Sequence, residues 1–109
     1  MPWLVRDGDV LAAAELADSA RARRRGLLHG DSFDGALVLR PCRTVHTAGM
    51  RFAIDVAFCD AEGVVVRTTN LGPWRISPYV RRAAFVIEAE AGAFDRWRLL
   101  AGDRVELRT

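Results

Sequence analysis

Nine glycines divide this 109-residue chain at intervals suited to short strands and tight turns rather than to long helices. Between them, apolar residues recur with a period of two. In Phe52-Ala-Ile-Asp-Val-Ala-Phe-Cys59 this alternation sets Phe52, Ile54, Val56 and Phe58 on one face and Ala53, Asp55, Ala57 and Cys59 on the other. Asp60-Ala-Glu-Gly63 has the length of a hairpin loop, and Val64 to Thr69 reads as the returning strand.

The rest of the chain follows the same grammar. Trp3 to Val5 leads into Arg-Asp-Gly-Asp at 6 to 9, where Asp-Gly readily takes positive φ and turns a hairpin. Val10 to Ala17 is then the returning strand, although its alanines also favour a helix. Ala36 to Leu39 is a short strand stopped by Pro41. Ala83 to Ala89 is another, with Phe85 and Ile87 inward and Glu88 and Glu90 outward, and Arg104 to Arg108 turns Val105 and Leu107 to the core. One short helix is expected from Asp18 or Ser19 to Gly26, with arginines near its C-terminal dipole, and a second over Ala93 to Leu99. The expectation is a mainly β fold, α+β at most: a single domain over residues 1–109, an antiparallel β-sandwich or barrel with one or two short helices.

Composition narrows the function classes. Half of the residues are apolar, 28% are charged and the mean hydropathy is near zero, which places the chain among globular rather than disordered proteins. The 16 cations are all arginine against 14 acids, a formal charge of +2. That is too small for the whole surface to bind polyanions, so nucleic acid is not the expected partner. The apolar runs are far too short to span a membrane. Cys42 and Cys59 lie 17 residues apart without a C-x-x-C, so neither a zinc site nor any other metal or cofactor site is read from them. With no secretory signal at residues 1–9, they are expected to be thiols in a cytoplasmic protein.

Two clusters carry side chains capable of chemistry. In Thr44 to Asp55, His46 could serve as base or ligand, Arg51 could hold an anionic group, and Asp55 could orient the histidine or pair with the arginine. Each also has a scaffold reading: His46 hydrogen-bonded in a turn, and Asp55 bracing its neighbours. In Gly72 to Tyr79, Trp74 and Tyr79 beside Arg75, Arg81 and Arg82 could stack on a sugar or base or form cation–π contacts, or Trp74 could fold onto the edge of the core. No serine or cysteine nucleophile stands at a recognisable elbow.

These segments carry a resemblance. Arg25-Gly-Leu-Leu28, the run from Val45 to Phe58, the turn Asp60-Ala-Glu-Gly63, Pro73-Trp-Arg75 and Ala101-Gly-Asp103 are similar to the prokaryotic domain-of-unknown-function 192 family, also called uncharacterised protein family 0127. The likeness runs from about Val10 to Leu107; Ala53 stands where the family more often has proline, and Leu28 where methionine is common. It implies a small β-rich, sandwich-like fold with a short helix, and favours the strand over the helix for Val10 to Ala17. It implies no activity.

The functional expectation is a binding or accessory module, monomeric or homodimeric, that meets an anionic or carbohydrate-like ligand or a protein partner. Its candidate site is His46, Arg51, Asp55, Trp74 and Arg75. The alternatives are a small hydrolase or lyase using a His46/Asp55 pair, and a protein-interaction subunit.

Overall fold

The computed structural model describes residues 2–17 and 35–109. They form strands β1 (Trp3–Arg6), β2 (Asp9–Ala17), β3 (Ala36–Leu39), β4 (Ile54–Cys59), β5 (Val65–Leu71) and β6 (Phe85–Glu90), the one-turn helix α1 (Ala93–Trp97), and β7 (Val105–Arg108). The helix expected between Asp18 and Gly26 lies outside the described residues. Asp7 and Gly8, at φ 52° and 83°, make the two-residue hairpin turn between β1 and β2.

The strands form one sheet in the order β5-β4-β6-β3-β2-β1-β7. Its pairings are antiparallel except β2 with β3, which run parallel with Ala14 opposite Ala36 and Ala17 opposite Leu39. The sheet is therefore mixed, and mainly β as expected. It also curls until its edges meet: Val64 bridges Arg104, Val65 N donates to Asp103 O at 2.8 Å, and Val105 N donates to Gly63 O at 2.9 Å.

Curling gives the sheet two apolar faces. Inside lie Leu4, Ala14, Val38, Ala57, Cys59, Val65, Ile87 and Val105, plugged by Phe94 and Leu99 from the helical region. Outside lie Leu37, Leu39, Ile54, Val56, Phe58, Leu71 and Val86, covered by Val45, Met50 and Ala83 from the connections either side of the β4–β5 hairpin. This double burial makes all six residues of β4 buried, where one-sided alternation would leave half of them wet.

It also corrects one expectation. Glu88 does point away from Phe85 and Ile87, but the face it joins is the outer core, and the side chain is completely buried. Glu90 is half-buried at the strand end.

Candidate functional site

The connection after β3 leaves through a cis Arg40–Pro41 peptide and runs beside the connection after β5. Val80 N donates to Arg43 O at 2.8 Å, Ser77 N to Val45 O at 2.8 Å, and Thr47 N to Arg75 O at 2.8 Å. His46 bridges Ile76 in the same antiparallel sense. Residues 43–50 and 74–80 are thus a hydrogen-bonded ribbon, seated on the outer core through Val45 and Met50.

Thr47 is its hub. The side chain is fully buried, and its Oγ1 donates to Gly72 O at 2.5 Å and accepts from Arg75 N at 2.9 Å. Its carbonyl accepts from Trp74 N and Met50 N, both at 3.0 Å. Ser77 is the second: its hydroxyl accepts from Val45 N at 2.9 Å. Satisfying these groups leaves the large side chains of the ribbon pointing outward, with Trp74 70%, Ile76 74% and Tyr79 65% exposed.

Trp74 is held there by an uncommon backbone. Its φ is 58°, in the left-handed region where a bulky residue is a genuine outlier. Such conformations persist only where surrounding structure enforces them, here the Trp74 N–Thr47 O and Arg75 N–Thr47 Oγ1 bonds.

The segments that build the ribbon and its flanks carry charge of one sign. Residues 35–54 and 71–87 contain Arg40, Arg43, Arg51, Arg75, Arg81 and Arg82 and no acid at all. All six arginines are exposed. Arg40 lies over the Phe85 ring at 5.3 Å, and Arg43 Nε donates to Ala83 O at 3.1 Å. Among the described residues, the ion pairs Arg6–Asp103 and Arg108–Glu106 lie elsewhere.

The five residues singled out in the sequence divide accordingly. His46, Trp74 and Arg75 share the ribbon, and Arg51 stands exposed one residue beyond its first strand. His46 is half-buried and accepts a hydrogen bond from Ala48 N at Nδ1, 3.3 Å, which puts the neutral ring's proton on Nε2. Asp55 belongs to a different structure. Its Oδ2 accepts from Gly92 N at 3.0 Å and Phe94 N at 3.1 Å, and its Oδ1 accepts from Asn70 Nδ2 at 3.0 Å. On alternation it sits with Ala57 and Cys59 on the inner face, whereas Val45 and Met50, flanking His46, pack on the outer one.

Asp55 therefore braces the turn into α1, and the carboxylate that a His46/Asp55 general-base pair requires is committed there. Tryptophan packed on the core edge, the scaffold reading of Trp74, is not what is seen. Ile76 and the buried Thr47 were not legible as site residues. The missing acids in 35–54 and 71–87 were a signal available in the sequence for the ribbon's character.

Cys42 and Cys59 are free cysteines. Burial, with a smaller contribution from the Asp60 charge, pushes the Cys59 thiol up from 9.0 to about 12. Cys42 is half-buried, and its Sγ donates to Thr44 O at 3.1 Å.

A curled, double-faced sheet carrying an arginine-rich ribbon defines a small β-rich domain whose candidate surface lies on its connecting segments. Residues 4–107 match the family model DUF192, described as Uncharacterized ACR. The chain is 33% identical over 97 residues to a UPF0127 protein of Pyrococcus abyssi (strain GE5 / Orsay), covering 84% of this chain and 83% of that protein. It is 31% identical over 96 residues to a UPF0127 protein of Pyrococcus horikoshii, covering 84% of each. The chain belongs to the DUF192 (UPF0127) family.

Its fold is similar to that of a Sinorhizobium meliloti 1021 protein described as a candidate transcription regulator, with a TM-score of 0.77 and 22% identity over 96% of this chain and 90% of that one. It is also similar to a protein of unknown function from Novosphingobium aromaticivorans DSM 12444, with a TM-score of 0.74 and 20% identity over 96% and 82% of the two chains. Among the described residues no helix is long and apolar enough to cross a membrane, and no group of three metal-ligating side chains is found.

Proposed function

We propose that this protein is a binding module for an anionic or carbohydrate-like partner, which it meets on the ribbon through His46, Arg51, Trp74 and Arg75. The observation that carries this reading is Trp74, held exposed by a left-handed backbone on a ribbon whose surrounding segments, residues 35–54 and 71–87, contribute six exposed arginines and no acid of their own. An exposed indole supplies a rigid stacking face at low entropic cost, and guanidinium groups supply forked donors for carboxylate, sulfate or phosphate. The compartment that fits the two free thiols is the cytoplasm.

Calorimetric titration with a short heparin fragment, which is both anionic and a carbohydrate, tests the reading. The wild-type protein should bind, and Arg51→Ala with Trp74→Ala should lose at least about tenfold in affinity, comparable to losing one stacking and one charge-assisted contact. A double variant that melts like the wild type and binds equally well would overturn it. Nucleic acid is a weaker fit, because the chain carries a formal charge of only +2.

A further inference from the structure

The most exposed large side chain of the ribbon is aliphatic. Ile76, at 74%, stands two residues from Trp74 and three from Tyr79, so one short connection presents three large apolar groups to water. Trp74 and Ile76 expose more than two-thirds of their surface, and Tyr79 is exposed while also edging a shallow depression with Pro41, Cys42 and Arg43. A sugar or a nucleobase would stack on Trp74 and Tyr79 but has no use for Ile76. A partner that satisfies all three, and the arginines around them, needs a layer of negative charge with hydrocarbon close beneath.

We infer that the ribbon docks peripherally on an anionic lipid bilayer, with Trp74, Ile76 and Tyr79 entering the headgroup region and Arg51, Arg75 and Arg81 meeting lipid phosphates. This deepens the anionic-partner reading and rests on it. Tryptophan and tyrosine favour the membrane–water interface because one end of each ring system is apolar and the other carries a polar group. Apolar faces of interfacial proteins enter about 5–10 Å, the reach of a single side chain layer. Residues 35–54 and 71–87 contribute no acid of their own to repel an anionic surface. The left-handed backbone at Trp74, fastened to Thr47, keeps the indole from collapsing onto the ribbon. Nothing in this mode needs a spanning segment.

Co-sedimentation of the full chain with vesicles of phosphatidylcholine alone, or mixed with phosphatidylglycerol, tests the inference. Binding is expected only to the phosphatidylglycerol vesicles, and it should weaken with salt. Arg75→Gln with Arg81→Gln should weaken it about fivefold for each arginine lost, and Trp74→Ser with Ile76→Ser should abolish most of what remains at moderate salt. All four positions are exposed, and unchanged thermal melts verify the fold of each variant. Vesicle binding indifferent to Trp74→Ser/Ile76→Ser would overturn the inference, since charge alone would account for it. Binding to the heparin fragment without binding to either vesicle would also overturn it while leaving the anionic-partner reading in place. Binding to none of these probes would overturn both.

Discussion

Asp55 Oδ2 accepts the backbone amide of Phe94 at 3.1 Å, so a carboxylate on β4 caps a helix to which it does not belong. The helix needs it. Gly92, at its N-cap, is left-handed and offers no side-chain acceptor, and Asp55 also takes the Gly92 amide. The strand that builds the core thereby positions α1 as the plug of the inner face.

Asp55→Ala would leave three donors without their acceptor, on Gly92, Phe94 and Asn70. Denaturant unfolding should register a loss of about 2–4 kcal/mol, the range for removing a charged acceptor from buried donors. Asp55→Asn should cost less, because its remaining oxygen can face the two amides while Asn70 turns its own carbonyl toward the new amide. Equal losses for both variants would contradict the capping role.

Two left-handed glycines should differ sharply. A Cβ at Gly63 would lie 2.3 Å from Val105 O, at the seam where the curled sheet closes, whereas one at Gly8 would meet nothing within 4 Å. Gly8→Ala should cost about 1–2 kcal/mol, the left-handed penalty alone. Gly63→Ala should cost that and the seam as well, on the order of 4 kcal/mol. Similar melting temperatures for the two variants would show that the seam contributes little.

The Cys59 thiol, raised from 9.0 to about 12 by burial, links stability to alkaline pH. Below pH 9.0 the thiol is protonated folded and unfolded, so its contribution is constant. Between pH 9.0 and about 12 only the unfolded chain ionises, and stability should fall by about 1.4 kcal/mol per pH unit. Cys59→Ala should lack that slope, whatever its cavity costs at neutral pH. An alkylating reagent at pH 8 should label Cys42 and spare Cys59 in the native protein, and labelling of both without unfolding would contradict the burial.

Trp74 carries the converse signature of a site residue. Its side chain is 70% exposed, so Trp74→Asn forfeits little burial, and asparagine tolerates the left-handed region better. Thermal unfolding should show no loss and a gain of up to about 1 kcal/mol, while binding to the heparin fragment falls. A clear loss of stability would mean that the indole serves the scaffold.

Much of the architecture was legible from residue order. The apolar alternation of β4 and the Asp60–Gly63 loop fixed one hairpin, and Asp7-Gly8 fixed another, because period and turn chemistry are local. The parallel pairing of β2 with β3 was not, since residues 18–35 intervene and nothing in either strand encodes its neighbour's direction. Glu88 shows the same limit: alternation assigned its face, but whether that face is wet depends on Val45, Met50 and Ala83, which arrive from distant connections. In the site, His46, Trp74 and Arg75 were found as side chains capable of chemistry, while Thr47, which joins their two segments, looks ordinary until its hydrogen bonds are seen. Asp55 stood out in the sequence as a carboxylate in an apolar strand, and structure assigned it to a helix cap instead of to His46.

The central claim is that the ribbon is the binding surface, and amide NMR spectra recorded during a titration with the heparin fragment locate that surface directly. Concentration-dependent shifts should cluster at residues 43–51 and 72–82, including the Trp74 indole N–H, and should shrink together as salt is raised. Shifts centred instead on Arg104 and the β1–β2 turn, or spread evenly over the sheet, would contradict the account.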